Sequence, residues 1–227
     1  GAGVTFNYEL SDALTLSAGY LGRNPSDVNQ GLFNGSFAAL GQLAFYPSDN
    51  LSLGLTYVRA YYPGGEPFVS GGTGSRVANA PFSGNIATSA NHFGLQANSR
   101  LSRNFILAGW AGLTKAQAEE DGIGFAGTPV SAGDDATVFN WALTFAFPNV
   151  DSRGSRVGII IGQPPKVTAN DGGPTGDESA FHLEGSYRYQ VNANLSIEPG
   201  VLVIFNPENN GENDTTAVGL VRTIFAF

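Results

Sequence analysis

The chain has no cysteine and no methionine, and only 13% of its 227 residues are charged, against about 25% in an ordinary soluble domain. Lacking cysteine, it has no disulfide framework, no thiolate nucleophile and no cysteine-based zinc site. Scarce charge makes a simple water-soluble globule a poor description. Basic residues are few as well, Lys+Arg 11 against Asp+Glu 19 for a net charge of −8, which sets nucleic acid aside as a partner. No stretch reaches about 18 uninterrupted apolar residues, so a transmembrane helix is excluded and spanning by strands stays open. What is abundant is glycine, 31 residues, alongside 42% hydrophobic residues. That is too apolar for disorder, and the glycines are spaced too irregularly for collagen.

The recurring pattern is strict alternation over about ten residues, the period of a strand whose two faces meet different surroundings. Val4, Phe6, Tyr8 and Leu10 face one way, with Thr5, Asn7 and Glu9 opposite. Leu51, Leu53, Leu55 and Tyr57 repeat it, as do Phe139, Trp141, Leu143, Phe145 and Phe147, and again Phe181, Leu183, Tyr187 and Tyr189. Eleven strands are expected, near 2–10, 13–22, 35–46, 51–62, 91–101, 105–116, 136–147, 156–167, 179–191, 195–205 and 216–227. Tight turns at Ser11-Asp12, 48–50, 102–104, 149–155 and 192–194 alternate with long Gly/Asn/Pro-rich loops at 23–34, 63–90, 117–135, 168–178 and 206–215. The turn-plus-strand unit Ser11-Asp12-Ala13-Leu14-Thr15-Leu16 recurs at 48–53 and more loosely at 192–197. Short connections at one end and long ones at the other are the layout of an outer-membrane β-barrel, whose turns are periplasmic and whose loops are external. Eleven is odd, and the first strand would start outside, so topology expects an odd number of further strands before Gly1 or closure by another chain.

Aromatic residues gather near both strand ends: Tyr8, Phe45, Phe145, Phe147, Tyr189, Phe225 and Phe227 toward the turns, and Tyr20, Tyr57, Tyr61, Phe139, Trp141 and Phe205 toward the loops. Such bands mark membrane interfaces, whereas a soluble carbohydrate-binding β-sandwich is the rival reading of the alternation. The long loops carry 13 acidic residues against three basic ones, an acidic mouth that would concentrate cations. Parity puts Glu9, Arg100, Arg156, His182, Glu184, Arg188, Glu198 and Arg222 on the polar face, the expected pore lining. Reflection about the turn at 192–194 sets Arg188 opposite Glu198 as a cross-strand ion pair. The segment from Tyr62 to Ala90 is far longer than a usual connection and carries apolar Phe68, Val69, Val77 and Phe82. It is expected to fold into or across the mouth as a constriction loop, with Glu66 and Arg76 reaching toward the channel.

Signals of catalysis fail on context. Gly122-Ile123-Gly124-Phe125-Ala126-Gly127 spells the dinucleotide fingerprint, but it follows Glu119-Glu120-Asp121 and precedes Thr128-Pro129 rather than joining a strand to a helix. His92 and His182 fall on separate strands without a ligand pattern, and the acidic loops lack calcium-loop spacing. No enzyme activity, metal or other cofactor is expected.

In order along the chain, Gly31-Leu32-Phe33-Asn34-Gly35 with the strand to Phe45, SDNLSLGLTY at 48–57, LAGWAGLTKA at 107–116, VFNWALTFAFP at 138–148, GIIIGQPPKVT at 158–168, LSIEPGVLV at 195–203 and VGLVRTIFAF at 218–227 resemble the cyanobacterial iron-uptake porins of the carbohydrate-selective (OprB-type) porin superfamily. The resemblance implies an all-β transmembrane antiparallel barrel of about sixteen strands when complete, about eleven of them in this chain, integral to the outer membrane. It implies passive diffusion of inorganic ions, possibly iron, and of small hydrophilic solutes such as sugars. The expected partners are outer-membrane lipid, those solutes, further copies in a homotrimer, and peptidoglycan or cell wall through an upstream surface-layer-type region absent from this sequence. The alternative function is a plugged barrel that mainly anchors the envelope.

Overall fold

Each alternating segment becomes a strand in the computed structural model, which describes residues 1–27, 31–32, 34–65 and 68–226. The long strands are β1 (Ala2–Ser11), β2 (Leu14–Gly22), β3 (Phe37–Ser48), β4 (Leu51–Tyr62), β5 (Thr88–Ser102) and β6 (Phe105–Ala118), followed after a small hairpin by β9 (Asp135–Pro148), β10 (Arg156–Asn170), β11 (Phe181–Asn192), β12 (Leu195–Phe205) and β13 (Thr216–Phe225). The hairpin is β7 (Gly122–Ile123) with β8 (Pro129–Val130), and a single helical turn, α1 (Arg76–Asn79), lies between β4 and β5. The eleven long strands form one sheet in which every strand is antiparallel to its sequence neighbour, in the order β1-β2-β3-β4-β5-β6-β9-β10-β11-β12-β13. A single meandering sheet replaces the two packed sheets of a sandwich, so the soluble β-sandwich is set aside. Among the described residues β1 pairs with β2 alone and β13 with β12 alone.

Several strands overrun the expected bounds, because pairing continues past the point where the sequence alternation stops, while β2, β3 and β11 begin one or two residues later than expected. β5 begins at Thr88 and β10 reaches Asn170, the latter through Pro164-Pro165, where the register shifts between Gln163 and Lys166. Proline cannot donate to the ladder, and a bulge lets the strand resume beyond it.

Strand pairing carries one parity around the whole wall. On the outer face, rings form ladders near both ends. At the loop end Tyr20, Phe37 and Tyr61 stack in series, with centroids 5.7 and 6.3 Å apart, and Trp141, Phe181 and Phe205 follow at 6.3 and 6.5 Å. At the turn end Phe105 stacks on Phe147 at 5.1 Å. Between them Leu55, Leu95, Leu143 and Val201 stay exposed, as a wall surrounded by hydrocarbon requires. Phe227 lies outside the described residues.

The inner face is the one against which residues 63–65 and 68–87 fold. Their Val69, Phe82 and Ile86 are buried with Ala90, Ala116, Ala118 and Ala136 of the wall and with Val130, and Ala78 is buried with Val138 and Val167. Small alanines at these wall positions let the segment approach closely. The segment is further tied by Ser75 N–H to the Pro165 carbonyl at 3.5 Å and by Asn170 Nδ2 to the Pro81 carbonyl at 2.9 Å. Gly74 is needed at that contact: its φ is +73°, and a Cβ there would sit 2.5 Å from the Pro165 oxygen.

Candidate functional site

Between the folded-in segment and the wall lies a cavity of about 570 Å³. Val69, Ser70 and Thr73 of the segment line one side, and Thr56, His92, Gln96, Trp110, Asn140, His182 and Glu184 of the wall line the other. These wall side chains come from β4, β5, β6, β9 and β11, and strand parity alone aims them inward. A belt of neutral polar groups runs across the first strands: Ser17 Oγ donates to Asn7 Oδ1 at 2.6 Å, Gln42 Nε2 to Thr56 Oγ1 at 2.8 Å, and Thr56 Oγ1 to Gln96 Oε1 at 3.3 Å. Gly112 opens room in this belt, since a Cβ there would meet the Asn140 amide nitrogen at 2.8 Å. His92 Nδ1 lies 2.8 Å from Thr114 Oγ1.

Charged groups concentrate toward the turn end of the last strands. Arg156 registers with Arg188 and Glu198 with Arg222, so that, with Arg188 bonded to Glu198, a row of three arginines and one glutamate crosses β10 to β13. Arg188 Nε donates to Glu198 Oε2 at 2.9 Å, and Arg156 Nη2 approaches the same oxygen at 3.9 Å. Glu198 is the buried member, its side chain 10% exposed against 47% for Arg156. The ion pair anticipated from reflection about the turn is present. Above this row, His182 Nε2 lies 3.4 Å from Glu184 Oε2, and both line the cavity. All eight residues expected on the polar face share it, six of them gathered on β10 to β13, while Glu9 on β1 and Arg100 on β5 stand apart.

Two expectations concern the segment itself. Glu66 lies outside the described residues. Arg76 is engaged with neighbouring loops: its guanidinium sits 5.2 Å from the Phe125 ring centroid, and its backbone N–H donates to Glu208 Oε2 at 2.6 Å. Of the apolar residues, Val69 and Phe82 are buried, Val77 packs beside Ala78, and Phe68 is exposed beneath the Arg23 guanidinium. The glycine-rich fingerprint forms β7 and a three-residue turn at Phe125–Gly127, with no helix to receive a phosphate.

Sequence alternation does not mark Trp110, Gln96 and Asn140 as lining residues. The signal was available in the tight turn at 102–104, because pairing Arg100 with Ile106 puts every even-numbered residue of β5 and β6 on the face of Arg100. Trp110 is therefore an aromatic ring on the polar side of the wall, 46% exposed.

The family model for the carbohydrate-selective porin, OprB family, matches residues 1–227. Protein sll0772 of Synechocystis sp., itself uncharacterized, is 39% identical over all of this chain, which spans 43% of that relative's length. Among solved structures, OmpT of Vibrio cholerae superposes with a TM-score of 0.65 at 10% identity, covering 99% of this chain and 65% of that one. OmpF of Salmonella typhi, solved with daunomycin, gives 0.60 at 18%, covering 99% and 62%. These two likenesses concern the fold, that of outer-membrane β-barrels, and agree with the ring-bounded apolar outer face. By its full-length match and its barrel wall, this chain belongs to the carbohydrate-selective porin, OprB family, and is integral to the outer membrane.

Proposed function

We propose that the full-length protein is a passive-diffusion porin, a conduit rather than an enzyme, for inorganic ions and small hydrophilic solutes such as sugars. Iron would cross in the same way, as a hydrated ion or small chelate. The observation that carries this reading is the placement of residues 63–65 and 68–87 against the polar face, leaving a cavity of about 570 Å³ whose polar lining is amides, hydroxyls, His92, His182 and Glu184, beside the exposed Trp110 indole. Neutral amides and hydroxyls can exchange hydrogen bonds with a passing solute at little cost, since each bond the solute gives up to water is replaced by one to the wall. In this reading the folded segment is the constriction, and Glu9, Arg100, Arg156, His182, Glu184, Arg188, Glu198 and Arg222 line the water-filled path. The acidic loops gather cations at the entrance, and the arginine row toward the turns presents the opposite sign to whatever passes.

The bare edges of β1 and β13 would be costly in hydrocarbon. The reading therefore includes further strands of the full-length protein that complete a barrel of about sixteen, in keeping with a relative more than twice as long as this chain. A homotrimer, and attachment to the cell wall through the rest of the protein, belong to the same proposal. Swelling of liposomes carrying the full-length protein, in isotonic glucose, sucrose and raffinose and in ferric citrate, tests the transport claim. Entry that slows with solute size supports it, and swelling no faster than in protein-free liposomes refutes it.

A further inference from the structure

Positive charge on the outer face follows a pattern that solute passage does not use. Register places Arg59 beside Asn91, Asn91 beside Lys115, and Lys115 beside Thr137, in one straight row across β4, β5, β6 and β9. Two residues nearer the turns, the matching row is Tyr57, Phe93, Leu113 and Phe139, which continues onto Lys166 of β10. The first three of these are exposed, so they face hydrocarbon. The cationic row thus stands about 7 Å loopward of a greasy aromatic row, by the strand rise of about 3.4 Å per residue. That is where hydrocarbon gives way to lipid headgroups: charge is costly at the midplane and nearly free at the interface.

The donors in this row have no anion of the protein's own. Among the described residues, Arg59 and Lys115 make no ion pair. Lys115 Nζ donates to Thr137 Oγ1 at 2.7 Å, which leaves two of its protons unused. The Tyr57 hydroxyl donates to Asn91 Oδ1 at 2.7 Å, a bond that leaves the amide's NH₂ donors unused. The outer-face carboxylate nearest in register, Asp135, stands one row further out, where it accepts from Gln117 Nε2 at 3.3 Å. Arg59 and Lys115 are two strand spacings apart, about 10 Å, with the amide between them. The row is a line of donors awaiting acceptors at headgroup depth.

We propose that Arg59, Asn91 and Lys115 bind the anionic, phosphate-bearing headgroup of a lipid in the outer leaflet. The guanidinium supplies paired N–H groups to two phosphate oxygens, the ammonium a point charge to the same or a second anionic group, and Asn91 a bridging donor. The rings of Tyr57 and Phe93, 5.4 Å apart, seat the first carbons of the acyl chains. Nothing in this depends on transport, since it uses the outer wall alone.

The test uses the full-length protein reconstituted with brominated phosphatidylglycerol or brominated phosphatidylcholine. Quenching is read at Trp141, which shares the outer face of β9 with Phe139, and a Trp141→Phe variant subtracts every other tryptophan. Each cation near an anionic lipid is worth about fivefold in association, so with two in the row the native protein should favour phosphatidylglycerol over phosphatidylcholine by about 25-fold at low salt. Arg59→Gln with Lys115→Gln should bring that ratio close to one, and Arg59→Lys with Lys115→Arg should keep most of it. Size-exclusion chromatography of the glutamine pair should match native. No phosphatidylglycerol preference in the native protein overturns the proposal, as does a preference that survives in the glutamine pair. A glutamine pair that loses its oligomer while its lipid preference is intact overturns it too, assigning the row to a protein contact.

Discussion

Replacing Phe82 by alanine would loosen the docked segment and leave the strand ladders of the wall in place. Phe82 is fully buried, at 0% exposure, in the cluster that joins residues 63–87 to β5, β6 and β9. Phe→Ala at such a site costs about 3–5 kcal/mol. The strand ladders around it are backbone hydrogen bonds that do not pass through Phe82, so the loss falls on docking of the segment rather than on the sheet. Three large side chains carry that docking, Val69, Phe82 and Ile86, each worth about 1.5–3 kcal/mol gross when buried, before the entropy of ordering the segment is subtracted. Removing the largest therefore consumes most of the net docking energy. At tenfold per 1.4 kcal/mol, the docked-to-free ratio falls by about two to three and a half decades. In the full-length protein, F82A should admit raffinose-sized sugars to liposomes at a rate approaching that of glucose, and trypsin should cut after Arg76 far faster than in native protein. The barrel's heat-modified gel mobility should not change. If F82A keeps the native size exclusion and the native resistance at Arg76, the segment does not govern the pore.

Glu198→Gln leaves Arg156 and Arg188 without their shared carboxylate, in a row that Arg222 continues; reversal potentials in a KCl gradient should shift toward anion selectivity, and an unchanged potential would mean the row only braces the wall. Gly74→Ala forces a left-handed residue to carry a Cβ against the Pro165 oxygen, costing about 1–2 kcal/mol in backbone strain alone, so protease sensitivity of 63–87 should rise with a smaller effect on solute size than F82A. In the turn at 149–155, the Tyr187 hydroxyl donates to Asp151 Oδ2 at 2.6 Å and, with Ser155, holds that carboxyl below its ordinary value of 3.8. A depressed carboxyl stabilises its contacts above the unfolded pKa and loses them as pH falls through the folded one. Pepsin nicking of this turn should therefore begin only below pH 3.8 in native protein and at higher pH in Tyr187→Phe, and identical onset in the two would refute the coupling.

The strands were legible because a wall between lipid and water imposes a two-residue period on its sequence, most plainly in β1, β4, β9 and β11. The Arg188–Glu198 pair was legible for a related reason: a tight turn fixes register, and register fixes which side chains oppose. Trp110 sits among glycine and alanine in β6, where alternation fades and its side must be inferred from Arg100 across the turn. β12 and β13 carry Leu202, Val218 and Leu220 on the inner face as well as apolar residues on the outer, so their hydrophobic pattern does not say which side is wet. The cavity is not legible from the sequence, since it lies between a long connection and wall residues brought together from β4, β5, β6, β9 and β11. A pattern of single residues records the medium around each strand, and such long-range packing leaves no period behind.

Single-channel recording of the full-length protein in planar bilayers tests the central claim most directly. The account predicts discrete, ohmic conductance steps that grow with salt concentration and become larger in F82A. Correctly folded protein that inserts into the bilayer and yields no conductance steps, native or F82A, would contradict it.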